Sequence, residues 1–191
     1  MLTYETIKSE FARGGCNERT ALSIPGYSRA AVLVPLIKID DSIDLLFTKR
    51  TEMVETHKGQ ISFPGGMVDS GDRDIVHTAL REAEEEIGLT HDRVEVVGLL
   101  DDMATPTGFV ITPVVGIVTN LPQLRPNSNE VAEVFRVKLD FFSDSANGRT
   151  EYRELQGKTH KVWFYSCGEH LVWGATAMMI RSLLKRIQVL R

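Results

Sequence analysis

Gly65-Gly66-Met67-Val68-Asp69-Ser70-Gly71-Asp72, and then Arg81-Glu82-Ala83-Glu84-Glu85-Glu86-Ile87-Gly88-Leu89, is the stretch that decides how this chain is read. From about Asp72 to Ile87 the apolar residues Val76, Leu80, Ala83 and Ile87 recur at i, i+4, i+7 and i+11, which predicts an amphipathic helix. Gly88 stands just past its last turn, where a left-handed residue ends a helix at least cost. At about 100° per residue, Glu82, Glu85 and Glu86 fall within about 100° of one another, beside the apolar stripe. Glu84 points elsewhere, toward solvent. Three like charges at i, i+3 and i+4 repel one another, so the pattern asks for a compensating cation. An acidic run alone is most often a solvated helix face. Here it is preceded by Gly65-Gly66, where backbone can approach a ligand that a Cβ would obstruct. Arg81 sits at its edge, with the fork to hold a carboxylate from two sides.

Outward from this segment, alternating apolar stretches and turn residues give the other elements. A short helix is expected over Tyr4 to Arg13, and strands over Ala30 to Ile39 and Ile43 to Lys49, joined by a turn at Asp40-Asp41. Gln60 to Phe63 reads as a strand stub that Pro64-Gly65-Gly66 breaks. Val94 to Leu100, Val110 to Thr119, Glu133 to Leu139 and His160 to Tyr165 read as further strands. Gly174 to Leu190 reads as an amphipathic helix with Lys185, Arg186 and Arg191 at its negative end. Strands and helices mix without strict βαβ alternation, so the expected architecture is α/β, a mixed sheet with helices on its faces.

Bulk properties narrow the function. The 191 residues carry 22 Lys and Arg against 26 Asp and Glu, a net charge of −4, with no overall attraction for nucleic acid or anionic membrane. An anionic substrate must then be drawn by local groups or bound metal. Cys16 and Cys167 are far apart and fit neither a disulfide framework nor a zinc site; they read as reduced thiols of a cytoplasmic protein. No apolar run approaches the ~20 residues of a membrane span. Met1 to Arg13 lacks the apolar core of a secretion signal, and the final Val189-Leu190-Arg191 is not a peroxisomal address.

The acidic helix and its loop resemble the Nudix box, G-x5-E-x7-R-E-U-x-E-E-x-G-U with U aliphatic. Arg81 to Leu89 matches its second half without a gap. Upstream, the acidic position six beyond Gly66 holds Asp72, a shorter side chain than the usual Glu. Arg81 also lies one residue further on, so the loop carries one extra residue. The resemblance implies an α/β/α sandwich over residues 29–191, with residues 1–28 as an N-terminal helical extension. It implies hydrolysis of a nucleoside diphosphate linked to another moiety. Glu82, Glu85 and Glu86, with the Gly66 carbonyl, would hold Mg²⁺ or Mn²⁺, a hard cation that takes oxygen ligands. Arg81 would orient the carboxylates. A general base, on the helix (Glu85, Glu86) or on a later loop (Glu130), would activate water.

The flanks are similar to the coenzyme A pyrophosphatase branch of that family. The similar segments are Leu46-Phe47-Thr48-Lys49-Arg50, His57-Lys58-Gly59-Gln60-Ile61-Ser62-Phe63-Pro64-Gly65-Gly66, the run Thr105 to Gly116, and Val172-Trp173-Gly174-Ala175-Thr176-Ala177. The expanded box loop is shared as well. This implies cleavage of coenzyme A to 3′,5′-ADP and 4′-phosphopantetheine. Lys49, Arg50, Gly65 and Gly66 are expected at the substrate, and Lys58 reads as a surface group. That branch usually has Arg four residues before the glycine of Gly59-Gln60, and here the position is Glu55. Two alternatives therefore stand: another nucleoside diphosphate derivative, such as ADP-ribose or a dinucleoside polyphosphate, or a binding module without turnover. The intact carboxylates speak against the last. Trp163 and Trp173 could stack an adenine but sit where core packing is expected. His57 reads as a loop-packing group, and His160 and His170 show no ligand spacing. Oligomeric state is not readable.

Overall fold

A computed structural model describes residues 3–13, 19–40, 42–52, 59–155 and 157–190. Cys16, Glu55, His57 and Lys58 lie outside the described residues. The elements in chain order are α1 (Tyr4–Arg13), β1 (Ser28–Ile39), β2 (Ser42–Arg50), β3 (Ile61–Ser62), β4 (Gly65–Met67), α2 (Ile75–Ile87), β5 (Glu95–Leu99), β6 (Met103–Ala104), β7 (Phe109–Val118), β8 (Val131–Lys138), α3 (Leu139–Ser143), β9 (Gly148–Leu155), β10 (Lys158–Cys167), β11 (His170–Trp173) and α4 (Gly174–Arg186). Among the described residues they form an eight-stranded mixed sheet, with the path β3-β2-β1-β7-β5, and a three-stranded antiparallel sheet. β1 and β7 run parallel, and β2, β4 and β5 pair antiparallel to their neighbours.

β1 organises the molecule because its side chains alternate between two cores. Ala31, Leu33 and Ile37 face Ala79, Ala83 and Ile87 of α2. Val34 and Leu36 face Ala177, Ile180, Leu183 and Leu184 of α4. Ile7 and Phe11 of α1 are buried in that second core. The segment after α1 is tied down too: Asp102, buried at 6% exposure, accepts from the Leu22 backbone N and the Thr112 hydroxyl, and pairs with Arg29.

The sheet opens into a wedge where the site forms. β1 pairs with β2 only from Leu36 onward, and with β4 only from Ala30 to Val32. Between them the strands diverge, and Phe63-Pro64 enter the gap: the Leu33 N–H donates to the Pro64 carbonyl. The backbone N of residue 35 points the same way as that of residue 33, into this gap. Pro35, which has no N–H, therefore sits in a central strand without forfeiting a ladder bond.

Several expectations are revised. Pro64-Gly65-Gly66 does not simply break a strand; Gly65–Met67 pairs with β1 as β4. A glycine pair signals a break in sequence, yet here both glycines are required by close approach to neighbours. α2 begins at Ile75, not Asp72, because Asp74 caps it by accepting from His77 N at 2.8 Å. α4 ends at Arg186, not Leu190. β9, β11 and α3 had no counterpart in the sequence reading; polar β9 lies on the outer edge of the second sheet and lacks a clear apolar alternation. Trp163 is half-buried and packs against the core as expected, whereas Trp173 is half-buried outside it, stacked on Phe164.

Candidate active site

α2 carries the site on the strength of its cap and stop. Gly88 takes φ 71° and its N–H donates to Glu84 O, while Asn127 N–H donates to Glu86 O and Arg125 N–H to Ile87 O. The loop that follows β7 is thereby moored to the helix end. This mooring delivers Glu130: its carbonyl accepts from Thr51 N, and its carboxylate from Asn127 Nδ2 at 3.3 Å.

Arg81 is the hub of the upstream half. Its Nε and Nη2 donate to the two Asp72 oxygens at 2.9 and 3.1 Å, the two-pronged geometry of a guanidinium on a carboxylate. Nη1 meets Glu82 at 2.9 Å and Glu85 at 3.1 Å, and Nη2 also donates to the Met67 carbonyl. Asp72 accepts further from Thr78 Oγ1 at 2.8 Å and meets His77 Nδ1 at 2.9 Å. Arg81 and these partners hold its carboxyl well below the usual range although its side chain is almost fully buried. The loop before it turns where the Asp69 carboxylate accepts from Gly71 N and the Asp69 N–H donates to Asp72.

Glu86 is the opposite case. It is 4% exposed. Its partners are the Gly65 N–H, donating at 3.3 Å, and Arg50 Nη1 at 3.7 Å. Burial pushes its carboxyl up to about 8, against Arg50; Glu82 and Glu130 add to the rise. Burial also raises the Glu82 carboxyl, which Arg81 opposes. Glu85 is exposed. The Arg50 Nε is buried and has no hydrogen-bond partner among the described residues. A buried donor without an acceptor is rare, so a further acceptor is expected there.

The expected site residues do not all converge. Glu82, Glu86, Glu130, Arg50, Gly65 and Gly66 meet at one end of α2, with Arg81 and Glu85 beside them. Lys49 does not join them: it lines a separate cavity with Ile61, His170 and Trp173. Asp72, His77 and Thr78 complete the Arg81 network, which a linear reading of the box does not reveal. The position of Asp72 in the pattern was the available signal; His77 and Thr78 had none.

The donor set fits a hard divalent cation. Glu82, Glu85, Glu86, Glu130 and the Gly66 carbonyl offer only oxygen. A Cβ on Gly66 would lie 2.5 Å from the Glu82 carboxylate, so the glycine makes room for that carboxylate beside its own carbonyl. Among the described residues no three acidic, His or Cys side chains are drawn together as a ready cage, since Arg81 stands between Glu82 and Glu85. Magnesium keeps several waters and tolerates such spacing.

Known proteins fit this geometry. The NUDIX domain family model matches residues 27–155. A relative in Photorhabdus laumondii, named uncharacterized Nudix hydrolase NudL, is 40% identical over 164 residues, 84% of this chain and 85% of the relative. A protein of the same name in Cronobacter sakazakii is 35% identical over 188 residues, 96% of this chain and 91% of the relative. Among solved structures, a MutT/nudix family protein from Enterococcus faecalis superposes with a TM-score of 0.58 at 16% identity, covering 98% of this chain and 75% of that one. The Nudix hydrolase RenU from M. smegmatis gives 0.52 at 24% identity, covering 62% and 74%. These two share the fold. With the family model spanning the acidic helix and both of its flanks, the chain belongs to the Nudix hydrolase family, whose reaction is hydrolysis of a phosphoanhydride.

Proposed function

We propose that this Nudix hydrolase cleaves the diphosphate of coenzyme A or acyl-coenzyme A, giving 3′,5′-ADP and 4′-phosphopantetheine or its acyl form, with Mg²⁺ or Mn²⁺. The observation that carries the substrate reading is where the branch-like segments lie. Leu46 to Arg50, Gly59 to Gly66 and Val172 to Ala177 are scattered through the chain, yet they adjoin in space, and Thr105 to Gly116 lies across β1 from Gly65 and Gly66. β3 lies against β2 at Thr48 and Lys49, β4 and β7 flank β1 on either side, and Thr176 Oγ1 donates to the Ile61 carbonyl at 3.1 Å. The resemblance is thus concentrated around the wedge that builds the site.

Glu82, Glu85 and Glu86 with the Gly66 carbonyl would hold the metal. When bound, it lowers the pKa of a coordinated water and neutralises charge on the leaving phosphate. Arg81 positions Glu82 and Glu85. Arg50, whose buried Nε has no hydrogen-bond partner among the described residues, offers a donor to a phosphate oxygen. Glu130, held by Asn127 and near enough to raise the Glu82 and Glu86 carboxyls, would take the water's proton.

Incubation with coenzyme A, ADP-ribose and diadenosine polyphosphates, with Mg²⁺ or Mn²⁺ and product analysis, tests this. Coenzyme A should give 3′,5′-ADP with the highest kcat/KM. A clear preference for ADP-ribose or a dinucleoside polyphosphate would overturn the coenzyme A assignment. Tight binding of all three with no product would overturn the enzymatic one.

A further inference from the structure

Lys49 and Arg50 are consecutive at the end of β2, but they serve different faces of the sheet. Arg50 meets Glu86 on the α2 side. Lys49 lines a cavity of about 400 Å³ on the other side, between β3 and β11. That volume is in the range of small-molecule sites. The cavity walls are chemically specific. Trp173 stands parallel to Phe164, with ring centroids 5.9 Å apart, and remains half-buried at the cavity wall. His170 is fixed by stacking on Phe135 at 3.8 Å and by Glu133, whose Oε2 lies 3.0 Å from its Nε2. Glu133 is the cross-strand neighbour of Lys49, and its carboxylate is engaged by His170. Lys49 itself makes no ion pair among the described residues. Glu169 stands exposed at the rim.

We infer that this cavity is a nucleotide subsite, in which Trp173 supplies the wall for a purine-type base and Lys49 pairs with a phosphate carried by its ribose. An aromatic wall accepts the π-face of a base. A lone ammonium beside it supplies a point charge for a phosphate. Glu169 at the rim offers an acceptor to an exocyclic amine or a ribose hydroxyl. At the end of β2 the Arg50 N–H donates to the carbonyl of Gln60, which lines the same cavity. β2 links the two places: Lys49 lines the cavity, and Arg50, the next residue, meets Glu86 of α2. This assignment rests on the proposed cleavage of a nucleoside diphosphate derivative and names where its nucleoside half binds.

Two measurements separate the subsite from the activity. In chelator, adenosine 3′,5′-bisphosphate titrated into the full chain should quench tryptophan fluorescence. Trp173→Phe, which keeps an aromatic ring against Phe164, should abolish that quench, and Lys49→Ala should weaken binding at least tenfold. In turnover with metal, Lys49→Ala should raise KM for coenzyme A at least tenfold while kcat changes less than threefold, and should raise KM for 3′-dephospho-coenzyme A much less. Absence of binding by the wild type, or binding indifferent to both substitutions, overturns the subsite. So does hydrolysis of coenzyme A with an unchanged KM in Lys49→Ala. If coenzyme A is not hydrolysed but the bisphosphate binds with these dependences, the substrate assignment fails and the subsite stands.

Discussion

Asp72 and Glu86 are carboxylates at the two ends of one loop–helix unit, both with side chains almost out of solvent, and their acidities move in opposite directions. Asp72 is surrounded by donors: both arms of Arg81, the Thr78 hydroxyl, His77 and the Asp69 N–H. Glu86 has one backbone N–H and one guanidinium at 3.7 Å, with Glu82 and Glu130 nearby. Burial raises both carboxyls, but it is the dominant effect only at Glu86; at Asp72 the donors, Arg81 first, outweigh it. The satisfied end is a clamp that fixes loop to helix. The unsatisfied end is a place where bound cation would complete the electrostatics. One unit thus divides into a part that holds the fold and a part that is poised for chemistry.

The sharpest way to break this contrast is Glu86→Gln. If Glu86 belongs to the reacting end, kcat should fall roughly 10²–10⁴-fold. In chelator at pH 9 the same variant should melt higher, by roughly 3 °C, because it no longer buries an under-compensated charge. Near-normal turnover would remove Glu86 from the mechanism, and a lower melting temperature would remove the contrast.

Asp72→Asn should act the other way. It leaves Arg81 with an uncharged partner in a buried network, at a cost of about 3 kcal/mol. In a chain of this size that lowers Tm by roughly 6–12 °C. The pH dependence carries a sign. The Asp72 pKa is depressed on folding, so its contribution is present above the ordinary carboxylate pKa of about 4. It is lost as pH falls below that value toward the folded pKa. Between neutral pH and pH 3 the melting temperature should therefore fall more steeply in the wild type than in Asp72→Asn. Parallel curves would mean that Asp72 is not the clamp.

The smallest expected effects separate the two neighbouring glycines. A Cβ on Gly65 would lie 2.4 Å from the Ala31 carbonyl oxygen, which is backbone of a central strand and cannot yield cheaply. Gly65→Ala should cost about 1–3 kcal/mol of stability, read by denaturant unfolding. On Gly66 the Cβ would meet the movable Glu82 carboxylate instead. Gly66→Ala should keep most of the stability and lose roughly tenfold to a hundredfold in kcat/KM. If both variants lose stability equally, the distinction between a structural and a site glycine fails.

Local sequence determined a good deal of this protein. The 3.6-residue period and Gly88 specified α2, because an apolar stripe and a left-handed stop are local requirements. The run of apolar residues from Ala30 onward specified the central strand, and the order of charges from Arg81 to Glu86 specified an acidic helix face. Tertiary structure decided what pattern cannot encode. Glu130 reaches the carboxylates because its loop is moored to the C-terminal carbonyls of α2, forty-odd residues away in the chain. Asp72 meets Arg81 with both oxygens because the loop from Met67 onward folds against the helix. Gly65 and Gly66 join the sheet because β1 and β2 part and leave a gap to fill. Lys49 and Arg50, neighbours in a run of basic residues, are sent to opposite faces because successive side chains of a strand alternate. That alternation is local, but which face would hold the carboxylates and which the aromatic cavity was fixed only when α2 and β11 packed on either side of the sheet.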